Sequence, residues 1–173
     1  MIIMRGYWMR WFLTALVAAM TGSVRSEVDP GRTNMGRVSV TVYYGTNGDS
    51  KVAGSKARDV DKLTLARLRG EERLRFKDYR LLGQDTQPLL RSYENWAQPL
   101  KPSDEVLVRF EARSKPTKKS TGLDLELWLG RKKILKTDAR LEGGRPLFIL
   151  GPEWRGGRLI IGVALAPTEK PGS

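Results

Sequence analysis

The sequence contains no cysteine and no histidine. Disulfides are thereby excluded, as are a lipid-modified amino-terminal cysteine, thiol nucleophiles and every serine or cysteine mechanism that relies on an imidazole. The usual zinc, copper and non-haem iron sites lose their ligands for the same reason, so neither a metal nor a cofactor is expected. Acidic residues are scarce: 19 Asp and Glu stand against 31 Lys and Arg, for a formal charge of +12. Long apolar runs are missing too. The most apolar stretch, Trp11 to Met20, covers 10 residues, whereas a spanning helix needs about 20, so no stable transmembrane anchor is expected.

What is present begins with "MIIMRGYWMR WFLTALVAAM TGSVRSEVDP". Arg5 and Arg10, with no acid, precede the short apolar core, and small and polar residues follow it. That order is the pattern of a secretory signal, with cleavage drawn after Ser26 or, earlier, at Val17-Ala18-Ala19. Residues 1–26 are read as a signal peptide, 27–37 as a flexible linker, 38–166 as a single domain and 167–173 as a disordered tail. Losing Arg5, Arg10 and Arg25 lowers the charge only to +9. An exported, basic protein in the periplasm or outside the cell meets anionic envelope polymers and lipid head groups. A solvated surface without a dedicated anion partner fits the same charge.

Along most of the chain apolar and polar residues alternate with a period of two, the signature of half-buried strands. Val38, Val40, Val42 and Tyr44 share one face of "VSVTVYY", and Val106, Val108, Phe110 and Ala112 share one face of "VLVRFEA". Leu123, Leu125, Leu127 and Leu129 do so in "LDLELWL", as do Leu159, Ile161, Val163 and Leu165 in "RLIIGVALA". Turn chemistry separates these runs, and "LWLGRKKIL" reads as a hairpin about Gly130. The fold class is therefore mainly β: an antiparallel β-sandwich or small barrel of seven to eight strands. One short helix interrupts it, in "RDVDKLTLARLRG", capped by Asp59, carrying Val60, Leu63, Leu65 and Leu68 and stopped at Gly70.

The remaining catalytic chemistry is that of carboxylates. Glu153, Asp138, Asp124 and Glu126 are candidates for an acid and base pair of the kind glycosidases use, yet Asp124 and Glu126 alternate with leucines as on a solvated strand face. No phosphate-binding glycine loop occurs. Two binding constellations stand out. Trp96 in "YENWAQPL", Trp128 on the outward phase of its strand and Trp154 in the loop-like "GPEWRGG" would form a sugar-stacking platform if they share one exposed face. Trp154 reads better as a lid over the open end of the flanking apolar strands. Lys115, Lys118 and Lys119 in "KPTKK", with Arg131, Lys132 and Lys133 in "GRKK", are purely basic and flank the same strand. They would bind an anion, or merely keep hairpin turns soluble.

The order of a leucine-rich helix, "FKDYRLLG" (Phe76 to Gly83), a central set of alternating strands and a closing "PLFILGPEWRGGRLIIGVAL" resembles small exported bacterial β-rich proteins of unknown function. The likeness spans roughly residues 60–165 and implies an exported β-rich architecture without implying an activity. The expectation is an exported non-catalytic binding or interaction protein of the bacterial cell envelope. Its partner would be an envelope protein or an anionic envelope polymer, with no specific nucleic acid. The alternatives are a carbohydrate-binding module and a carboxylate-dependent glycan hydrolase.

Overall fold

In the computed structural model, residues 29–113, 117 and 120–167 are described. Two four-stranded antiparallel sheets face one another as a sandwich, and neither closes into a barrel. The first sheet contains β1 (Asn34–Thr46), β2 (Asp78–Leu90), β7 (Leu147–Trp154) and β8 (Gly157–Leu165), in the order β2-β1-β8-β7. The second contains β3 (Asn95–Ala97), β4 (Val106–Ala112), β5 (Ser120–Leu129) and β6 (Lys132–Glu142), in that order. One α-helix, α1 (Lys62–Gly70), lies between β1 and β2 in the chain.

The alternation read from the sequence is what builds the core. Val38, Val40 and Val42 of β1 and Leu159, Ile161 and Val163 of β8 face Val106, Val108 and Phe110 of β4 and Leu123, Leu125 and Leu127 of β5, all of them buried. Each such side chain removed from water contributes roughly 1.5 to 3 kcal/mol, so this layer carries most of the stability. A polar strut crosses to it from β2: Asp85 accepts the backbone N–H of Gln98 at 2.8 Å and pairs with Lys101 at 3.2 Å. The segment joining β3 to β4 is thereby tied to the first sheet.

The two outer faces differ. That of the first sheet is covered: Tyr43, Leu68, Leu74, Tyr79 and Ile160 form a second apolar cluster with Leu65, Phe76 and Phe148 packed against it. β1 and β8 are thus buried on both sides, which is why Ile160 interrupts the polar phase of β8. Gly162 lies under the Tyr43 and Phe148 rings, where a Cβ would sit at 3.1 Å and 3.3 Å from them, tight enough that the rings would have to shift slightly. Among the described residues no element packs over the outer face of the second sheet in this way.

Three expectations need correction. The helix is capped by Asp61, whose Oδ1 accepts the N–H of Thr64 at 2.9 Å, rather than by Asp59, which is held by Arg80. With the start moved, Leu63 falls on the solvent side, 62% exposed, while Leu68 is buried. "GPEWRGG" is not an open loop: Gly151 to Trp154 complete β7, and Arg155 and Gly156 alone make the turn into β8. Their φ angles of 48° and 76° are those of a tight hairpin turn with the right-handed twist of its strands, as are Gly130 (51°) and Arg131 (67°) between β5 and β6. Finally, part of the expected linker is structured. Pro30–Arg32 form a 3₁₀ turn, β1 starts at Asn34, and Tyr93 donates to Asp29 at 2.6 Å. Residues 1–28 and 168–173, with the expected signal peptide and most of the expected tail, lie outside the described residues.

Candidate functional site

The uncovered face of the second sheet is assembled from the outward phase of its strands. Register sets its rows: Trp96 lies opposite Arg109, Arg109 opposite Glu126, and Glu126 opposite Lys136. Beside it run Leu107, Trp128 and Lys133, and on the other side Glu111, Asp124 and Asp138. A bulge makes the second row possible. Between Leu127 and Trp128 the register of β5 and β6 shifts, so Ile134 is skipped, Leu135 points into the core, and both Lys133 and Lys136 reach the outer face.

The outcome is an aromatic pair set in a charge network. The Trp96 and Trp128 centroids lie 5.8 Å apart with the rings tilted by 56°, and Trp96 is 40% exposed. Each indole N–H is tied to the carboxylate two residues before it: Trp96 donates to Glu94 at 3.3 Å and Trp128 to Glu126 at 3.0 Å. Residues i and i+2 of an extended chain share a side, so both rings are anchored by the same local device, Glu-x-Trp.

Arg109 joins the two units. Its Nε donates to Glu94 and its Nη2 to Glu111 at 3.0 Å, while Nη1 lies 3.8 Å from Glu126 and 3.9 Å from Asp124. Lys133 Nζ pairs with Glu126 at 3.3 Å and stands 5.4 Å from the Trp128 centroid, within cation–π range. Lys136 lies 3.5 Å from Glu126 and 3.6 Å from Asp124. Burial pushes the Glu126 carboxyl up, but the Trp128 N–H, Lys133 and Arg109 outweigh it and hold the group below the usual glutamate range. The hydrogen bond from Arg109 holds Glu94 low as well, and Glu94 in turn raises Arg109. One lone pair is unused: the buried Oδ1 of Asp124 has no hydrogen-bond partner.

Trp154 is not on this face. It ends β7 in the first sheet, half-buried, with its ring against Tyr44 at 5.3 Å, the Arg155 guanidinium 4.5 Å away, and the main core beneath it. The platform of three rings is therefore a pair, and Trp154 occupies the position of a lid.

The basic constellation is divided as well. Thr117 pairs with Ser120 at the start of β5, and Arg131 follows its end, so the two basic turns belong to opposite ends of a 10-residue strand. Lys115, Lys118 and Lys119 lie outside the described residues. Arg131 pairs with Asp104 at 3.7 Å and Lys133 is taken by Glu126, while Lys132 is exposed with no ion pair among the described residues. A local run of cations is thus opposed by acids that come from elsewhere in the chain.

The expected carboxylate candidates separate similarly. Glu153 is in the other sheet, and Asp138 pairs with Arg113 at 2.6 Å. Asp124 and Glu126 are bridged by Lys136, and an ionised Glu126 has no proton to donate to a leaving group. Among the described residues no group of side chains forms a metal site. Glu94, Arg109 and Glu111 were not singled out from sequence. The repeated spacing in "ENW" (Glu94 to Trp96) and "ELW" (Glu126 to Trp128) is a signal for Glu94, whereas Arg109 and Glu111 come to the site only through strand register.

No family model, curated protein or solved structure matches this chain.

Proposed function

We propose that this is an exported, non-catalytic binding protein of the bacterial cell envelope, and that its ligand lies across the outer face of the β3-β4-β5-β6 sheet. One observation carries the reading: among the described residues, one aromatic pair on that face is anchored by two Glu-x-Trp hydrogen bonds and has no element packed over it, while the opposite outer face is covered by α1 and its cluster. Rigid rings lose little entropy on contact, which favours them as anchors for a ligand. The tilt of the rings and the surrounding carboxylates and guanidinium suit a sugar chain, which offers apolar ring faces and hydroxyls together. The carbohydrate-binding form of the reading is accordingly favoured over a generic protein contact. A hydrolase gains no support from Asp124 and Glu126, which share Lys136 rather than flanking a cleft.

Binding of soluble glycan fragments, followed by tryptophan fluorescence and calorimetry, tests this. Trp96→Ala should weaken binding by about tenfold or more, the effect of losing an aromatic anchor, with little change in melting temperature. Binding that survives Trp96→Ala and Trp128→Ala together would place the site elsewhere. Export is tested separately by amino-terminal sequencing of the protein recovered outside the cytoplasm. Glu27 as first residue agrees with a signal peptide ending at Ser26, and an intact Met1 in the membrane fraction opposes it.

A further inference from the structure

The two Glu-x-Trp units are built alike but filled differently. In the unit of Glu126 and Trp128 the indole N–H meets one carboxylate oxygen, and an ammonium, that of Lys133, sits on the other oxygen and over the ring. The unit of Glu94 and Trp96 has the same indole-to-carboxylate bond, yet no cation of the described residues lies over the Trp96 ring. Trp96 is also the more exposed of the two rings.

Arg109 Nε occupies the second Glu94 oxygen, as Lys133 does that of Glu126, but makes no cation–π contact with Trp96. One guanidinium is shared among Glu94, Glu111, Asp124 and Glu126, and adding Lys133 and Lys136 still leaves three cations for four carboxylates around the aromatic pair. On a chain of charge +12 this is a locally acidic patch. It repels a polyanion and attracts a cation, and an ammonium on an indole face beside a carboxylate gains from both ring and charge.

We propose that the Trp96 side of the face takes a ligand ammonium over the Trp96 ring, beside Glu94 and Glu111, as Lys133 stands over Trp128, and that the ligand is a glycan with free amino groups. A sugar, rather than a lone amine, follows from the openness of the sheet: a chain laid across it brings a ring face to the indoles and an ammonium to Glu94 and Glu111 in one pose. The proposal rests on the binding reading above and names its ligand class.

The probes are a glucosamine oligosaccharide and its fully N-acetylated counterpart, titrated against the full exported protein at mildly acidic pH, where the amines are charged. The amine form should bind at least about tenfold more tightly. Glu94→Gln, which keeps an acceptor for the Trp96 indole but removes the charge, should abolish the preference for the amine form over the neutral sugar. Lys133→Met bares a second carboxylate and indole face and should tighten amine binding several-fold. Equal affinity for the two sugars would overturn the ammonium inference and leave the binding face standing. Binding of neither sugar would overturn both. Unchanged or weaker amine binding by a Lys133→Met protein that melts like its parent would overturn the equivalence of the two units.

Discussion

Trp154 meets Tyr44 edge to face at a centroid distance of 5.3 Å, and the Tyr44 hydroxyl donates to the carbonyl of Arg155 at 2.9 Å. The ring and the turn that follows it are thus held by one fully buried tyrosine of β1. Gly157 is what allows the approach, since a Cβ there would run into the Tyr44 ring and the Gly45 carbonyl. Because Trp154 is half-buried, Trp154→Ala should cost less than the roughly 3 to 5 kcal/mol of a fully enclosed tryptophan, about 2 to 3 kcal/mol. Urea unfolding measures it. The same protein should bind glycan like its parent, and an unchanged midpoint would end the structural account of this ring.

How far the sequence could be read depended on whether burial was one-sided. β4 and β5 are half-buried, so "VLVRFEA" and "LDLELWL" show their inner face as a plain alternation. β2 is intermediate in burial along nearly its whole length and carries no such contrast, so "DYRLLGQDTQPLL" did not declare itself a strand. The glycines of "GPEWRGG" suggested a loop, whereas Gly151 stands within β7 at a position where Leu159 and Ile161 approach too closely for a side chain. The Trp96 and Trp128 pair was hidden by connectivity. The rings sit on β3 and β5 with β4 between them, and only strand order brings them together. The exit of Trp154 from that group has the same origin, since sequence does not say which sheet a strand joins.

Asp61 satisfies a first-turn N–H of α1, and that hydrogen bond also lowers its own carboxyl pKa. Removing it in Asp61→Ala should cost about 1 kcal/mol. Hydrogen exchange should show the opening of the first turn of α1 spreading to the amides over Leu65 and Leu68, with the sandwich amides unaffected. Asp59→Ala should leave the helix amides as they were, since its partner is Arg80 on β2.

Acid sensitivity should come from three carboxyls with lowered pKa. At Asp85 burial raises the value, but the Gln98 N–H, Gln87 and Lys101 outweigh it, and Glu126 and Glu94 are lowered as described above. The unfolded chain takes up protons at ordinary carboxylate values near about 4, before the folded chain does. Stability is therefore complete above that pH and falls as the pH drops through the lower folded values. Asp85→Asn should remove its part of this slope and cost about 1.5 to 3 kcal/mol at neutral pH, the range for hydrogen bonds to a charged group. Denaturant midpoints from neutral pH down to acid would reveal it. A slope identical to the parent's would show that Asp85 is not held low.

Among the described residues Arg109 is the one cation that touches both Glu-x-Trp units, which makes it the strongest test of the network as a unit. Arg109→Met keeps the aliphatic cover on the sheet but leaves Glu94, Glu111, Asp124 and Glu126 to Lys133 and Lys136 alone. Repulsion among the remaining carboxylates should raise the folded pKa of Glu126 and Glu94 toward ordinary values. Two consequences follow together. The melting temperature at neutral pH should fall, and the protons taken up on unfolding in acid should decrease, because folded and unfolded carboxyls then titrate alike. Loss of Glu94 alone, in Glu94→Gln, should reproduce a smaller part of both effects, since Arg109 keeps its other partners. In Arg109→Met the indole fluorescence should shift as well, because the Glu94 carboxylate that accepts from Trp96 is no longer held by the guanidinium. An Arg109→Met protein with the parent's acid slope and an unaltered spectrum would mean that the guanidinium merely lies among these carboxylates without organising them.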